Sequence, residues 1–470
     1  MKKLKTTPEN SFSALRLAAG LAVSVGVSLA GLATVQAQVP ETVAARLGAD
    51  LTPVGAEKAG NADGTIPAWT GGLSAPPAGL GYQRGQHYKD PFKSDPVLFT
   101  ITGQNLGEHS DKLTEGQKSM LSTYPSYKMN VYKSRRTCAL PNKTYQQLRR
   151  NATIGTLAPD GNGIEGAVLA SPFPIPNSPL EIVWNHSLRY RAYKIAANTV
   201  NAVPTRGGDY TPIVAAVDTI IAYSNPSVQR TEELDNTSVY ILIHTTAPAR
   251  AAGSVTLVHE TLNQIKGVRK AWQYSPGTRR VRRAPNISYD NPGTNTDGLS
   301  TSDSFDMYNG APDRYDWSVN GKFEKYIPYN SYKIGGSDLE YDDIIKPLHP
   351  NQDLLRYELH RIWQIEANLK AGARHLYSRR VMGLDEDSWG ISTTSLYDGR
   401  GELWRSQERW AITAYDFPLC SAVGGVVYDP NAGRYLIAGL VNQEETTNYD
   451  AQELSIERYT PGAMKRISGR

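Results

Sequence analysis

Arginine is the residue whose placement in this chain could do chemistry. Five Arg-Arg doublets occur: Arg135-Arg136, Arg149-Arg150, Arg279-Arg280, Arg282-Arg283 and Arg379-Arg380. On a β-strand the two members of a doublet point to opposite faces, so one guanidinium turns inward and one outward. An inward guanidinium is costly in a dry interior unless it meets an anion. Carboxylates and phosphates suit its forked donors. The alternative is that each inward Arg pairs with an Asp or Glu of the same chain.

Other reactive patterns are thin. No G-x-S-x-G elbow, H-E-x-x-H zinc motif, phosphate-binding P-loop or dinucleotide fingerprint occurs. The 8 His are dispersed, and no local spacing suits a metal clip. Asp385-Glu386-Asp387 offers hard oxygens for calcium, but the run is shorter than a calcium-binding loop and lacks its distal Glu, so it is read as a solvated hairpin turn. Asp342-Asp343 and Glu444-Glu445 could serve glycoside hydrolysis, although spacing alone does not set their separation. No catalytic residue, cofactor or metal is assigned. Cys138 and Cys420 are the only cysteines. In an oxidising compartment they pair as one disulfide; two buried free thiols are the alternative. The bond would tie the front of the chain to its end, worth at most roughly 5 kcal/mol on the chain-entropy argument.

The amino terminus says which compartment to expect. Lys2, Lys3, Lys5 and Arg16 precede an apolar run from Leu17 to Val35, and Val35-Gln36-Ala37 is a small-x-small cleavage site. Residues 1–37 therefore read as a signal peptide cut behind Ala37, with a retained membrane anchor as the alternative. The expected location is the periplasm. The formal charge of +4 falls close to neutral once the four basic leader residues and Glu9 are removed. A near-neutral protein argues against nucleic acid as a partner.

The elements that would position these residues are mostly strands. From Gln38 to about His109, Gly and Pro recur too often for long elements. Short helices are predicted over Leu113–Ser122, capped by Asp111 or Thr114, and over Asn142–Arg150, capped by Asn142. Tyr127–Thr137 reads as a strand. After about Glu181 the pattern is strand upon strand, beginning with Leu188–Ile195. Pro276-Gly277 and Asn320-Gly321 read as hairpin turns. The 27 Tyr and 8 Trp against 7 Phe suit half-buried strands. The sum is an antiparallel meander of roughly ten to twelve strands, which must curl or close to manage its edges.

Several stretches, in chain order, resemble a secreted bacterial family designated domain of unknown function 1329. They are Arg46-Leu47-Gly48 with Leu51-Thr52-Pro53-Val54-Gly55-Ala56-Glu57, and Gly64-Thr65-Ile66-Pro67-Ala68-Trp69-Thr70-Gly71-Gly72. Next come Ala271-Trp272-Gln273-Tyr274-Ser275-Pro276-Gly277, Arg279-Arg280-Val281-Arg282-Arg283-Ala284-Pro285 and Tyr329-Asn330-Ser331-Tyr332. Arg356-Tyr357-Glu358-Leu359-His360-Arg361-Ile362-Trp363, then Arg374-His375, Tyr377-Ser378 and Asp385-Glu386-Asp387-Ser388-Trp389, and last Tyr397-Asp398 with Arg400-Gly401-Glu402-Leu403-Trp404-Arg405, complete the set. The family is similar to periplasmic lipoprotein carriers of the Lol type. That resemblance implies a strongly curved antiparallel sheet, an incomplete barrel, with short helices plugging its concave side over an apolar cavity. It also implies an association with an inner-membrane transporter of the resistance-nodulation-division (RND) type and an outer-membrane β-barrel protein.

The sequence thus points to a mainly β (α+β) fold in one domain, residues 38–470. A loop and short-helix wrap is expected over 38–180 and the curved sheet over 181–470. The expected function is binding or shuttling of lipid or other hydrophobic cargo. Trp272, Tyr274, Trp363 and Trp404 would line the cavity, with Arg280 and Arg282 at its rim. A ligand-free adaptor and a glycan or polyester hydrolase are the other readings.

Overall fold

Period-two apolar runs dominate the second half of the chain, and they fold into one large curved sheet. The computed structural model describes residues 39–284 and 289–468. The expected leader with its cut behind Ala37, and Pro285 of the Arg-rich stretch, lie outside the described residues. In the wrap the strands are β1 (Phe99–Ile101), β2 (Met129–Tyr132), β3 (Thr156–Leu157) and β4 (Ile164–Glu165). Then come β5 (Lys194–Ala202), β6 (Ile213–Ile220), β7 (Thr237–Ala247), β8 (Val255–Thr261), β9 (Lys270–Ser275) and β10 (Arg280–Arg283). The last group is β11 (Tyr315–Pro328), β12 (Tyr357–Leu369), β13 (Arg379–Asp385), β14 (Ile391–Tyr397), β15 (Leu403–Ala414), β16 (Leu419–Asp429) and β17 (Arg434–Leu440). The helices are short: α1 (Glu41–Ala44), α2 (Leu106–His109), α3 (Glu115–Thr123), α4 (Asn142–Ile154), α5 (Pro179–Leu188), α6 (Tyr341–Ile344) and α7 (Pro461–Ser468).

The sheet runs β1-β2-β12-β13-β14-β15-β16-β17-β5-β6-β7-β8-β9-β10, with β11 also on β12, while β3 and β4 form a separate pair. Every pairing in it is antiparallel except β2 with β12. The order ends on β1 and on β10, so the barrel stays incomplete. The fold is mainly β, as expected. The β17–β5 pairing is the long-range step, setting Ile437 opposite Ala202.

Three local expectations differ. Asn320-Gly321 is a bulge inside the 14-residue β11, because both flanking halves pair with β12 and the register shifts between Val319 and Gly321. Leu188 ends helix α5, so the strand predicted from Leu188 starts only at Lys194. Ser178 caps α5 by accepting from the Glu181 N–H, with Pro179 in its first turn, and these local signals override the alternation that follows. Pro141, not Asn142, precedes α4, and it makes no side-chain cap. Helix α3 starts as predicted: Thr114 and Gln117 form a capping box.

The outer face of the sheet is packed. Val426, Tyr428, Tyr435 and Ile437 bury against Met120 and Leu121 of α3 and against Tyr127 and Met129 of the wrap. Further along, α7 places Met464 over Leu242, Val255 and Leu257. The disulfide Cys138–Cys420 joins the wrap to β16 across 282 residues, with the two Cα atoms 5.2 Å apart.

The inner face is covered by α5 and by an irregular roof over residues 289–314. Two carboxylates pin that roof. Asp303 accepts from Arg380 at 2.6 Å, pairs with His375 at 3.0 Å, and is 1% exposed. Burial pushes its carboxyl up, yet Arg380 and His375 hold it below the ordinary value. Asp306 accepts from Arg189 at 2.7 Å and from Arg191 at 2.8 Å. His186 of α5 adds a third tie. Its Nδ1 accepts from the Ile391 N–H, so Nε2 donates to the carbonyl oxygens of Asp306 and Tyr308. The doublet Arg379-Arg380 splits as strand geometry requires: Arg380 turns inward to Asp303, while Arg379, 40% exposed, pairs with Glu366.

Replacing Asp303 with Asn leaves Arg380 buried without its anion. The expected loss is about 3 kcal/mol or more, read as a lower urea midpoint with faster amide exchange over 289–309. Arg379→Gln on the outer side of the same strand should cost ~1 kcal/mol or less.

Glu408 of β15 gives a pH-dependent prediction. It is 2% exposed and accepts from Gln117 Nε2 and from the Tyr357 hydroxyl, both at 2.9 Å, with no cation among its bonded partners. Burial raises its pKa from 4.5 to about 7. A raised carboxyl stabilises the fold fully below its unfolded value and loses that contribution as pH climbs through the folded value. Stability should therefore fall by ~3 kcal/mol between about pH 4.5 and pH 8 from this group alone. Denaturation of Glu408→Gln across that range should show a correspondingly flatter profile.

Candidate functional site

Register builds the site. On the inner face, Ile195, Thr219, Ile241 and Val258 form one cross-strand rung over β5 to β8, and Ala197, Val217, Ile243 and Thr256 form the next. The facing wall carries Gln407, Val427 and Leu436 on one rung and Arg409, Gly425 and Ala438 on another. A Cβ on Gly425 would meet the Glu408 carbonyl oxygen at 2.7 Å, so the wall beside Arg409 stays without bulk. Residues 293–309 lie across the top. Together they enclose a hollow of about 520 Å³, within the ~300–1,000 Å³ range of ligand pockets.

The floor is apolar and unfilled. Ile195, Val217, Ile243 and Val258 are only half-buried, although each lies within a paired strand of the sheet. Phe305 in the roof is 50% exposed and borders the same space. Interiors normally close such gaps, since an unfilled lining forfeits dispersion contacts.

One end of the hollow is charged. Arg189 and Arg191 share the single carboxylate of Asp306, which they hold well below the usual range despite burial. Arg409 also borders the hollow, and its closest polar contact is a 3.5 Å donation from Nη2 to the Cys420 carbonyl oxygen. Burial, then the nearby Arg189, brings its pKa down to about 10. His186 is held neutral, its pKa pushed down to about 3 by burial and by Arg189. A second polar patch, Glu260 with Arg269 at 2.6 Å, is balanced.

The six residues expected to line and rim the cavity are not brought together, and none is in its lining. Trp272 and Tyr274 pair with Leu257 and Val255, so they share the outer face and pack near α7. One step of strand parity separates them from the hollow, and Gln273, opposite Thr256, has the inner parity. Arg280 and Arg282 have the inner parity too, through Gln273, but stand exposed on the last strand of the sheet. Trp363 stacks on Trp389 with ring centres 6.3 Å apart, and Lys322 lies over its ring. Trp404 donates to Asp429 at 3.0 Å beneath Arg405. The hollow instead uses Arg189, Arg191, Asp306 and Arg409. The Arg189-x-Arg191 spacing, two basic residues on one strand-like face, is the only sequence signal for this group.

The acidic turn also differs from expectation. Asp385, Glu386 and Asp387 are 1%, 2% and 3% exposed, not solvated. Arg136 holds both oxygens of Asp387, and Arg361 and Lys322 hold Glu386. Burial and the Asp387 charge raise Asp385 to about 6. His360, Asp385 and Asp387 bring ligand-type atoms within 4.8 Å of one another. With Asp387 saturated by Arg136, this is a buried ion-pair network that docks the wrap, whose Glu57 and Ala59 carbonyls accept from Arg136 and Arg361.

No helix among the described residues is long and apolar enough to cross a membrane. A chain of Pseudomonas aeruginosa described as "Uncharacterized protein PA3922" is 48% identical over 445 residues, 94% of this chain and 96% of that one. A crystal structure of a DUF1329 family protein from Desulfovibrio piger aligns with a TM-score of 0.41 at 16% identity, covering 58% of this chain and 92% of that chain. A LolA superfamily protein from Nitrosomonas europaea aligns with a TM-score of 0.37 at 9% identity, covering 60% and 97%. The family described as "Protein of unknown function (DUF1329)" matches residues 100–465, and with that span and the Pseudomonas identity the chain belongs to the DUF1329 family.

Proposed function

We propose that this protein is a non-enzymatic periplasmic carrier that shields a hydrophobic molecule in the hollow between its inner sheet face and its roof. The observation that carries the reading is the unfilled apolar floor: Ile195, Val217, Ile243 and Val258 stay half-buried over about 520 Å³ of space. Each cargo methylene moved there from water contributes about 0.8 kcal/mol. The leader expected before Gln38 supports a periplasmic location, and so does the Cys138–Cys420 disulfide, which persists in an oxidising compartment. Cooperation with an RND-type inner-membrane transporter and an outer-membrane β-barrel protein belongs to the same proposal and rests on the family resemblance.

Ala197 faces the hollow at a half-buried position. Protein purified from the periplasm should carry co-purifying lipid by native mass spectrometry. Ala197→Glu should lose that lipid while keeping its circular dichroism and melting temperature within a few degrees of the parent. A clean apo mass for the parent would reject the carrier and favour a ligand-free adaptor.

A further inference from the structure

Three arginines and one carboxylate meet at one end of an apolar hollow. Elsewhere the chain answers buried arginines with acids: Arg136 with Asp387, Arg380 with Asp303, Arg405 with Asp429. At the hollow, Asp306 is divided between Arg189 and Arg191, and Arg409 has no carboxylate within salt-bridge reach among the described residues. The Nε donors of both Arg189 and Arg191 are buried without an acceptor. Arg409 is half-buried and borders the hollow, so an oxyanion bound at this end can reach it and supply the missing partner, while the two closed-off Nε donors stay as they are.

We propose that the arginine end of the hollow holds the carboxylate or phosphate headgroup of an anionic amphiphile, with Arg409 as its main ligand and Arg189 and Arg191 beside it. The proposal rests on the carrier reading and names the cargo class. The tail lies along the Ile195–Val258 floor, and the forked guanidinium donates two parallel bonds to the headgroup. Asp306 is not displaced: it orients Arg189 and Arg191 while tying the roof to them. Neutral lipids fill the same floor but leave Arg409 unanswered, so they bind less tightly.

The test uses the mature chain with its disulfide intact and two probes, the fluorescent fatty acid cis-parinaric acid and its methyl ester. The acid should bind at least ~10-fold tighter than the ester, as one charge-assisted hydrogen-bonded pair allows. In Arg409→Gln that ratio should fall towards one, and in Arg409→Lys, which keeps charge but loses the fork, it should lie between. Displacement of the acid by dodecyl phosphate and by laurate separates a phosphate from a carboxylate preference. A parent ratio near one, or a ratio unchanged in Arg409→Gln, overturns the headgroup assignment and leaves the carrier reading standing. Failure of both probes to bind the parent overturns the carrier reading, and the headgroup assignment with it.

Discussion

Two aspartates three residues apart, Asp303 and Asp306, hold the roof over the sheet, and the hollow depends on them. The roof has little regular structure of its own. Asn295, Asp297, Asp306 and Met307 all take left-handed backbone conformations, and its turns are short. What fixes it is ionic: Arg380 and His375 on Asp303, Arg189 and Arg191 on Asp306, with the His186 ring donating to the roof backbone. Buried pairs of this kind add little net stability over apolar packing. They do specify one position for the segment they hold. An apolar roof would collapse onto Ile195 and Val217, whereas these pairs anchor it to α5, β13 and the approach to β5.

The division of labour between the two faces follows. The outer face is closed by the wrap and α7 in well-filled clusters, while the disulfide, whose Cys420 borders the hollow, fastens the wrap to β16 from the inner side. The ion-pair network around Asp385-Glu386-Asp387 ties the first residues of the wrap to β12 and to the turn after β13. On the inner face, Val54, Ala56 and Leu148 of the wrap pack with Ile182 and Val183 of α5 and with Met382 and Leu384, and the hollow borders that cluster at Met307 and Cys420.

Much of the architecture was legible in residue patterns. Period-two runs marked the strand-rich part of the chain after about Glu181, and Thr114 located the start of α3. Where local signals competed, the reading slipped. Ser178-Pro179 started a helix that alternation from Leu188 concealed. Asn320-Gly321, a good hairpin dipeptide, became a bulge because a single partner strand runs past both halves. The acidic turn looked solvated because its partners, Arg136 and Arg361, are distant or on a neighbouring strand.

Composition and periodicity by themselves determined a mainly β chain with a single pair of cysteines, because these properties are local or additive along the sequence. Which side chains meet in the hollow was decided only by tertiary structure. Strand parity relative to a distant roof cannot be counted from sequence, and one residue of register moves Trp272 and Tyr274 to the outer face. Arg189 and Arg409 are more than two hundred residues apart in the chain, and the β17–β5 pairing, which joins the last strand in the chain to the first after α5, helps bring them to the same space.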